Sequence, residues 1–116
     1  MKPSPLAEKS LAFATKIVVL YEQQVKVRND TTILKQLLRS GTSVGANINE
    51  AVFGNSKADF IAKLHISLKE ASESLYWLKL LTNAKILDNI ATGELISLAE
   101  EIKAMLIASL NTAKKK

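Results

Sequence analysis

The sequence has no cysteine, only four glycines and two prolines, and 5% aromatic residues in a chain of 116. Without cysteine there is no disulfide framework, thiolate metal site or catalytic thiol. So few turn-forming and aromatic residues argue against a sandwich or barrel built from many short strands. Because 47% of the residues are apolar, the chain can bury a core, which excludes intrinsic disorder as its main state. The composition therefore predicts one all-α domain over residues 1–116.

Long apolar runs are also missing. The two longest, at residues 17–21 and 104–108, fall far short of the ~18 residues that a membrane-spanning helix needs. The first residues of the chain lack the apolar core and small-residue cleavage site of a signal peptide. These two absences predict a soluble, cytoplasmic protein.

The net charge of +5 comes from 16 basic and 11 acidic residues, and it is unevenly placed. Lys114, Lys115 and Lys116 end the chain, and without them 13 basic residues stand against 11 acidic ones. A terminal basic run can contact phosphates or anionic lipid through counterion release. It is also common at a solvated, frayed chain end. The body of the protein is nearly balanced, so its charge alone does not indicate nucleic-acid binding.

Apolar residues recur at helical spacing in four segments, at about residues 5–26, 32–53, 57–83 and 89–112, with a basic tail at 113–116. The connections between these segments are only a few residues long. Short connections place successive helices antiparallel to each other. The sequence therefore predicts an up-down-up-down four-helix bundle.

Polar residues mark the ends of these helices. Ser4 before Pro5 predicts the N-cap and first position of helix one. Gly54 predicts the end of helix two. Ser56 followed by Asp59 resembles a capping box and predicts the start of helix three.

Helix three has apolar residues on two sides, whereas a monomeric bundle needs only one apolar side per helix. At about 100° per residue, Ile66, Trp77 and Leu80 point almost opposite to the core stripe. They alternate with charged residues: Asp59, Lys63, Glu70 and Glu73. An apolar strip with an aromatic residue and a charged rim is typical of a protein–protein contact. We therefore predict self-association through this helix; in the alternative, Trp77 folds against a neighbouring helix at a corner of the bundle.

Helix two carries a polar stripe beside its apolar one. Its members follow steps of four and three residues: Gln36, Ser40, Ser43, Asn47 and Glu50. Such a row can be solvated surface, or it can be a hydrogen-bonded seam that fixes the register between helices. Small residues on the same helix favour the seam and tight helix packing, because they let another backbone approach closely: Gly41, Ser43, Gly45 and Ala46. We assign Ser43, Asn47 and Glu50 to the predicted oligomer interface.

No motif indicates catalysis or a cofactor. A di-iron bundle needs Glu-x-x-His on two helices, yet His65 is the single histidine and Ala62 stands three residues before it. Glu70 and Glu73 share a face, but carboxylates without histidine supply a transition-metal site poorly, and Lys63 and Lys69 are near enough to pair with them. No serine has the base and orienting partner that nucleophilic catalysis requires. We predict no enzymatic activity, cofactor, metal or small-molecule substrate.

Three consecutive motifs resemble those of the 23S rRNA intervening-sequence protein family, a ribosomal-protein-like group of bacterial four-helix-bundle proteins. A serine-rich stretch leads into Ala-Asn-Ile-x-Glu at 46–50, followed by Ser-x-x-Asp-Phe at 56–60 and Glu-x-x-Glu at 70–73. The family pattern falls on Ser43, Asn47, Glu50, Phe60, Glu70, Glu73 and Trp77. One departure is Ala51, where many members have glycine.

This resemblance implies a left-handed antiparallel bundle that assembles as a ring, commonly a homopentamer, and has no enzymatic activity. It also implies a relationship to the accessory variability determinants of diversity-generating retroelements, which bind nucleic acid and a reverse transcriptase through a basic ring surface. The nearly balanced body of this chain departs from that basic surface.

Two functions follow from these observations. The first is a homo-oligomeric scaffold that associates with RNA or an RNA-processing partner. Its candidate nucleic-acid contacts are basic residues that could share one surface: Lys26, Arg28, Lys35, Arg39, Lys114, Lys115 and Lys116. The alternative is a protein–protein interaction module with no nucleic-acid role.

Overall fold

The computed structural model describes residues 4–115, which fold into four α-helices. Their bounds are α1 Pro5–Val25, α2 Thr32–Val52, α3 Lys57–Asn83 and α4 Asn89–Lys115. The all-α, four-helix prediction is confirmed, and residues 4–115 contain no strand. Helix α4 runs past the predicted end at residue 112, so Lys114 and Lys115 belong to its last turn. Lys116 lies outside the described residues.

Serine side chains cap two of the helices. Ser4 Oγ accepts a hydrogen bond from the amide of Ala7 at 3.3 Å, with Pro5 in the first turn, as the sequence predicts. Ser56 Oγ accepts one from the amide of Asp59 at 3.0 Å. Each cap satisfies an amide that the helix itself leaves without a partner.

The end of α3 is formed without glycine. Lys85 takes a left-handed conformation, with φ at 62°, and the amide of Ile86 donates to the carbonyl of Leu81 at 3.0 Å. This closes the last turn in the way that a glycine usually does. Gly54, beyond the end of α2, has no positive φ, so α2 ends there without a left-handed cap.

All four helices contribute to one apolar core. The largest fully buried apolar side chains are Phe13, Ile17, Leu37, Ile48, Leu64, Leu78, Leu81, Ile102 and Leu106. Burying a side chain of this size contributes about 1.5–3 kcal/mol. Each helix contacts two others, in the pairs α1–α2, α2–α3, α3–α4 and α1–α4. The core therefore lies at the centre of a closed set of four neighbours.

Two glycines bring α2 close to α1. A Cβ added at Gly41 would overlap the end of the Ile17 side chain, and one added at Gly45 would lie 3.2 Å from Ser10 Oγ. The interpretation of these glycines as sites of tight helix packing is confirmed, and the helix they approach is in the same chain.

The molecule is elongated, measuring 48 × 23 × 20 Å. At one end, Arg28 in the α1–α2 connection donates to the carbonyl of Ile86 in the α3–α4 connection. At the other end, Phe60 in the first turn of α3 lines a groove with Thr112 and Ala113 of α4. None of the helices in residues 4–115 combines the length and the apolarity needed to cross a membrane.

Candidate interaction face

Buried serine hydroxyls join α2 to α3. Ser40 Oγ and Ser74 Oγ are 2.8 Å apart, and Ser67 Oγ donates to the carbonyl of Val44 at 2.8 Å. All three serines are buried, and each has a partner, so none carries the penalty of a buried unsatisfied hydroxyl. At Ser40, the polar stripe predicted on helix two therefore enters a hydrogen-bonded seam between helices.

Arg39 of α2 binds two carboxylates of α3. Its Nη1 lies 3.2 Å from Glu70 Oε2, and its Nη2 contacts Glu73 Oε2. The same Glu73 oxygen accepts a hydrogen bond from Trp77 Nε1 at 2.9 Å. A guanidinium can serve two acceptors in this way because its donors form a rigid planar fork. The charged part of the surface is therefore an ordered network that also holds the indole of Trp77.

This network shifts two pKa values. The hydrogen bond from Trp77 lowers the pKa of Glu73; partial burial opposes that effect, and the bond and charge of Arg39 reinforce it. The bond from Arg39 to Glu73 raises the pKa of Arg39. Both shifts favour the charged form of the group, so the ion pair is present at neutral pH.

Apolar side chains lie beside the network on the outer side of α3. Ile66 is 42% exposed, Leu80 is 36% exposed and Tyr76 is 62% exposed. Trp77 is half-buried against the core, and its ring meets that of Tyr76 edge to face with centroids 5.2 Å apart. Trp77 thus lies neither fully on the exterior nor folded away at a corner of the bundle.

We call this surface the α2–α3 face. It consists of Arg39, Ser43, Asn47, Glu50, Lys63, Ile66, Glu70, Glu73, Trp77 and Leu80. The pair between Lys63 Nζ and Glu50 Oε1, at 3.1 Å, and the Arg39 pairs show that the residues predicted on helix two and helix three come together on one side of the molecule. Asp59, also predicted there, lies in the first turn of α3.

Sequence reasoning missed the role of Arg39. It expected Lys63 and Lys69 to partner Glu70 and Glu73, whereas the structure places Arg39 on both carboxylates and Lys63 on Glu50. The three-residue spacing of the two glutamates was visible in the sequence. The long-range pairing to α2 depends on the register between two helices, which a single helix pattern does not contain.

Among residues 4–115, the basic residues proposed as nucleic-acid contacts do not share one surface. Arg28 lies at the end of the molecule that holds the connections, whereas Lys114 and Lys115 end α4 near the start of α3. The 27 residues of α3 separate these ends by about 40 Å. The expectation of a shared surface is therefore not met.

Two of these basic residues also have partners within the chain. Arg28 donates from Nε to Gln24 Oε1 at 2.7 Å and from Nη2 to the carbonyl of Ile86. Arg39 is bound by Glu70 and Glu73. Lys26 and Lys35 are exposed near the end of the molecule that holds the α1–α2 and α3–α4 connections. Lys114 and Lys115 are exposed at the opposite end, where α4 finishes. In the part of the chain that the structure describes, no three His, Asp or Glu side chains converge on a possible metal site.

The fold and the α2–α3 face define the class of this chain as an all-α, four-helix protein with an ordered polar and aromatic side. The family whose model describes a 23S rRNA-intervening sequence protein matches residues 4–108. The chain belongs to this family, as the three sequence motifs indicated.

A solved structure with the same fold is that of a protein of unknown function from the S23 ribosomal protein family of Bacteroides thetaiotaomicron. It is 44% identical, and the match covers 90% of this chain and 97% of that one, with a TM-score of 0.87. Neither this description nor that of the family names a reaction. No curated protein matches the sequence.

Proposed function

We propose that this protein is a non-catalytic scaffold that associates with further copies of itself through the α2–α3 face. The observation that carries the proposal is the combination of exposed Ile66 and Leu80 with a Trp77 whose indole is held in place by Glu73. Apolar side chains around an oriented aromatic residue, with a charged rim, have the composition of an interface centre. A lone subunit would leave these side chains in water.

We infer an up-down-up-down arrangement of the helices in each subunit. Along α1 and α4, Lys9 pairs with Glu101 and Lys16 pairs with Glu94, so the residue numbers rise along one helix as they fall along the other. The pairs of Ser40 with Ser74 and of Glu50 with Lys63 follow the same rule between α2 and α3. Both sets of pairs support antiparallel neighbours, in keeping with the short connections.

The size of the assembly is a separate part of the proposal. The family resemblance favours a ring, with five copies as the commonest number. A ring requires that the α2–α3 face meet a different surface on the next copy.

Association with RNA is a further part of this proposal, and the exposed lysines at the two ends of the molecule are its candidate contacts. In a ring, the same end of every copy can be repeated around one rim, which would gather Lys26 and Lys35, or Lys114 and Lys115, into a larger basic surface. Binding to structured RNA should then weaken steeply as salt is raised, because each neutralised phosphate releases counterions. Undetectable binding at ~50 mM salt, or binding that salt does not change, would remove RNA from the proposal.

The self-association is tested by placing a charge in the face. We expect Trp77→Glu and Ile66→Glu to reduce the native mass measured by light scattering, because each puts a carboxylate into a dry contact. Ser72→Glu is the matched control: it adds the same charge to an exposed position of α3 outside the face, and should leave the mass unchanged. Far-ultraviolet circular dichroism checks that each variant is still helical. An unaltered mass in a folded Ile66→Glu variant would contradict the proposal.

A further inference from the structure

The outer side of α1 carries a second apolar strip, of which only Ala7 packs against the core. Leu11 is 68% exposed and Val18 is 40% exposed, and they lie seven residues apart. The smaller Ala7 precedes Leu11, and Ala14 lies between Leu11 and Val18. Steps of four, three and four residues keep these four side chains in one line along a helix. The core stripe of α1 is a separate row, which includes Phe13 and Ile17. We call the outer row the α1 strip.

The α1 strip forms one wall of a groove. Ala7, Leu11 and Ala14 line a cavity of about 340 Å³ together with Gly45 and Ala46 of α2. Gly45 and Ala46 leave space at the middle of the α2 wall, and Thr42 and Asn49 lie on either side of them. This shape suits a row of large side chains from another helix.

The α2–α3 face supplies such a row. Ile66 and Leu80 lie fourteen residues apart, with Trp77 and Tyr76 on the turn before Leu80, and all of them reach the surface to some degree. The position midway between Ile66 and Leu80 is Glu73, which Arg39 binds, so an ion pair interrupts the apolar row there. Fourteen residues make about four helical turns, so Ile66 and Leu80 still lie on the same side of α3 and can contact a second helix over that length.

The charges of the two helices are complementary. Beside the row of Ile66, Trp77 and Leu80, Lys69 is exposed. The two acidic residues next to that row, Glu70 and Glu73, are already bound by Arg39. On α1, Glu8 and Glu22 are exposed, and within residues 4–115 neither forms an ion pair, whereas Lys16 is paired with Glu94. Packing α1 on α1 would bring the glutamates of the two copies together. Packing α1 on α3 brings Glu8 and Glu22 near Lys69 instead, which favours that pairing over α1 on α1.

We propose that the α1 strip of one copy receives the Ile66–Trp77–Leu80 row of a second copy. This inference rests on the proposed self-association and names the surface that completes it. The two strips lie on either side of α2, because Arg39 of α2 contacts α3 on one flank and Gly45 of α2 lines the α1 groove on the other. Successive copies joined in this way turn about an axis, so the contact can close into a ring.

Complementation between two variants tests this contact. Leu11→Glu disrupts the α1 strip and leaves the Ile66–Trp77–Leu80 row of α3, here called the α3 row, intact. Ile66→Glu disrupts the α3 row and leaves the α1 strip intact. Both positions are exposed, so both variants should fold. Each variant alone should have the mass of one subunit, 12.7 kDa. An equimolar mixture should form a dimer that contains one copy of each and grows no further. Val18→Glu serves as a second variant of the α1 strip.

The possible outcomes separate the two proposals. If Leu11→Glu and Val18→Glu both keep the wild-type mass while Ile66→Glu loses it, the α3 row meets some other surface; this inference is then wrong and the proposed self-association stands. If the wild-type protein is itself a single subunit, both are wrong. A charge exchange gives an independent test: Glu8→Lys with Glu22→Lys should weaken the mixed dimer roughly tenfold, and Lys69→Glu in the other partner should restore part of the lost affinity. No restoration would contradict the proposed pairing of α1 with α3.

Discussion

The α2–α3 and α1–α4 contacts are built on different principles. Between α2 and α3, Ser40, Ser67 and Ser74 are buried and bonded, and Arg39 holds two partly buried carboxylates. Between α1 and α4, the cross-helix ion pairs, Lys9 with Glu101 and Lys16 with Glu94, lie among exposed side chains, and the contact is the least extensive of the four. A buried polar pair fixes which residues face each other, whereas an exposed one is easily replaced by water. The register of the fold is therefore set mainly on the α2–α3 side.

Ser74→Leu should give the largest effect. The added side chain overfills a close-packed seam and removes the shorter of the two hydrogen bonds of Ser40, so the free energy of unfolding should fall by about 2–3 kcal/mol. Thr15→Leu, in the groove beside α4, is the control and should change it by less than about 0.5 kcal/mol. Urea denaturation measures both. Equal effects at the two positions would show that the two contacts do not differ as described.

Arg39→Ala should have the next largest effect, about 1 kcal/mol, because it leaves Glu70 and Glu73 without their partner. The Glu70 side chain is only 14% exposed, compared with 51% for Glu101 in the α1–α4 contact. Lys9→Ala should therefore cost less than about 0.5 kcal/mol. Denaturation at low and high salt distinguishes the pairs further, since screening acts mainly on the exposed one. A larger loss for Lys9→Ala would reverse the comparison.

Gly93→Ala should act in the opposite direction. Gly93 lies inside α4 with nothing within 4 Å of an added Cβ, so alanine should stabilise the protein by about 0.5–1 kcal/mol through helix propensity. Gly41→Ala is the contrasting variant, since its Cβ would meet Ile17 and thermal unfolding should occur at a lower temperature. A lower unfolding temperature for Gly93→Ala would contradict the description of Gly93 as a helical residue of α4 with free space around an added Cβ.

The smallest expected effect is on the dependence of stability on pH. The pKa of Glu73 is lowered in the folded protein from its ordinary value of 4.5, so its stabilising contribution is present above that pH and is lost as the pH falls through the folded pKa. Glu73→Gln should therefore flatten the loss of stability below about pH 4.5, as measured by denaturation at a series of acidic pH values. A curve parallel to that of the wild type would mean that Glu73 does not take part in the acid loss.

Helix positions could be predicted from the sequence because they depend on local patterns. The Ser4-Pro5 start and the two-sided character of helix three are contained in residues only a few positions apart. The double pairing of Arg39 could not be predicted, since it links residues more than 30 positions apart through the register of two helices. The α1 strip was missed for another reason: Ala7 and Ala14 are weak apolar signals beside the stronger core row of the same helix. Only the structure showed that Leu11 and Val18 belong to a row of their own.

The native mass of the purified wild-type protein, measured by light scattering at micromolar concentration, tests the central claim most directly. We expect a single species whose mass is that of two or more 12.7 kDa subunits. A stable species of 12.7 kDa that persists as the concentration is raised would contradict the claim that exposed Ile66, Leu80 and Leu11 are covered by further copies of the chain.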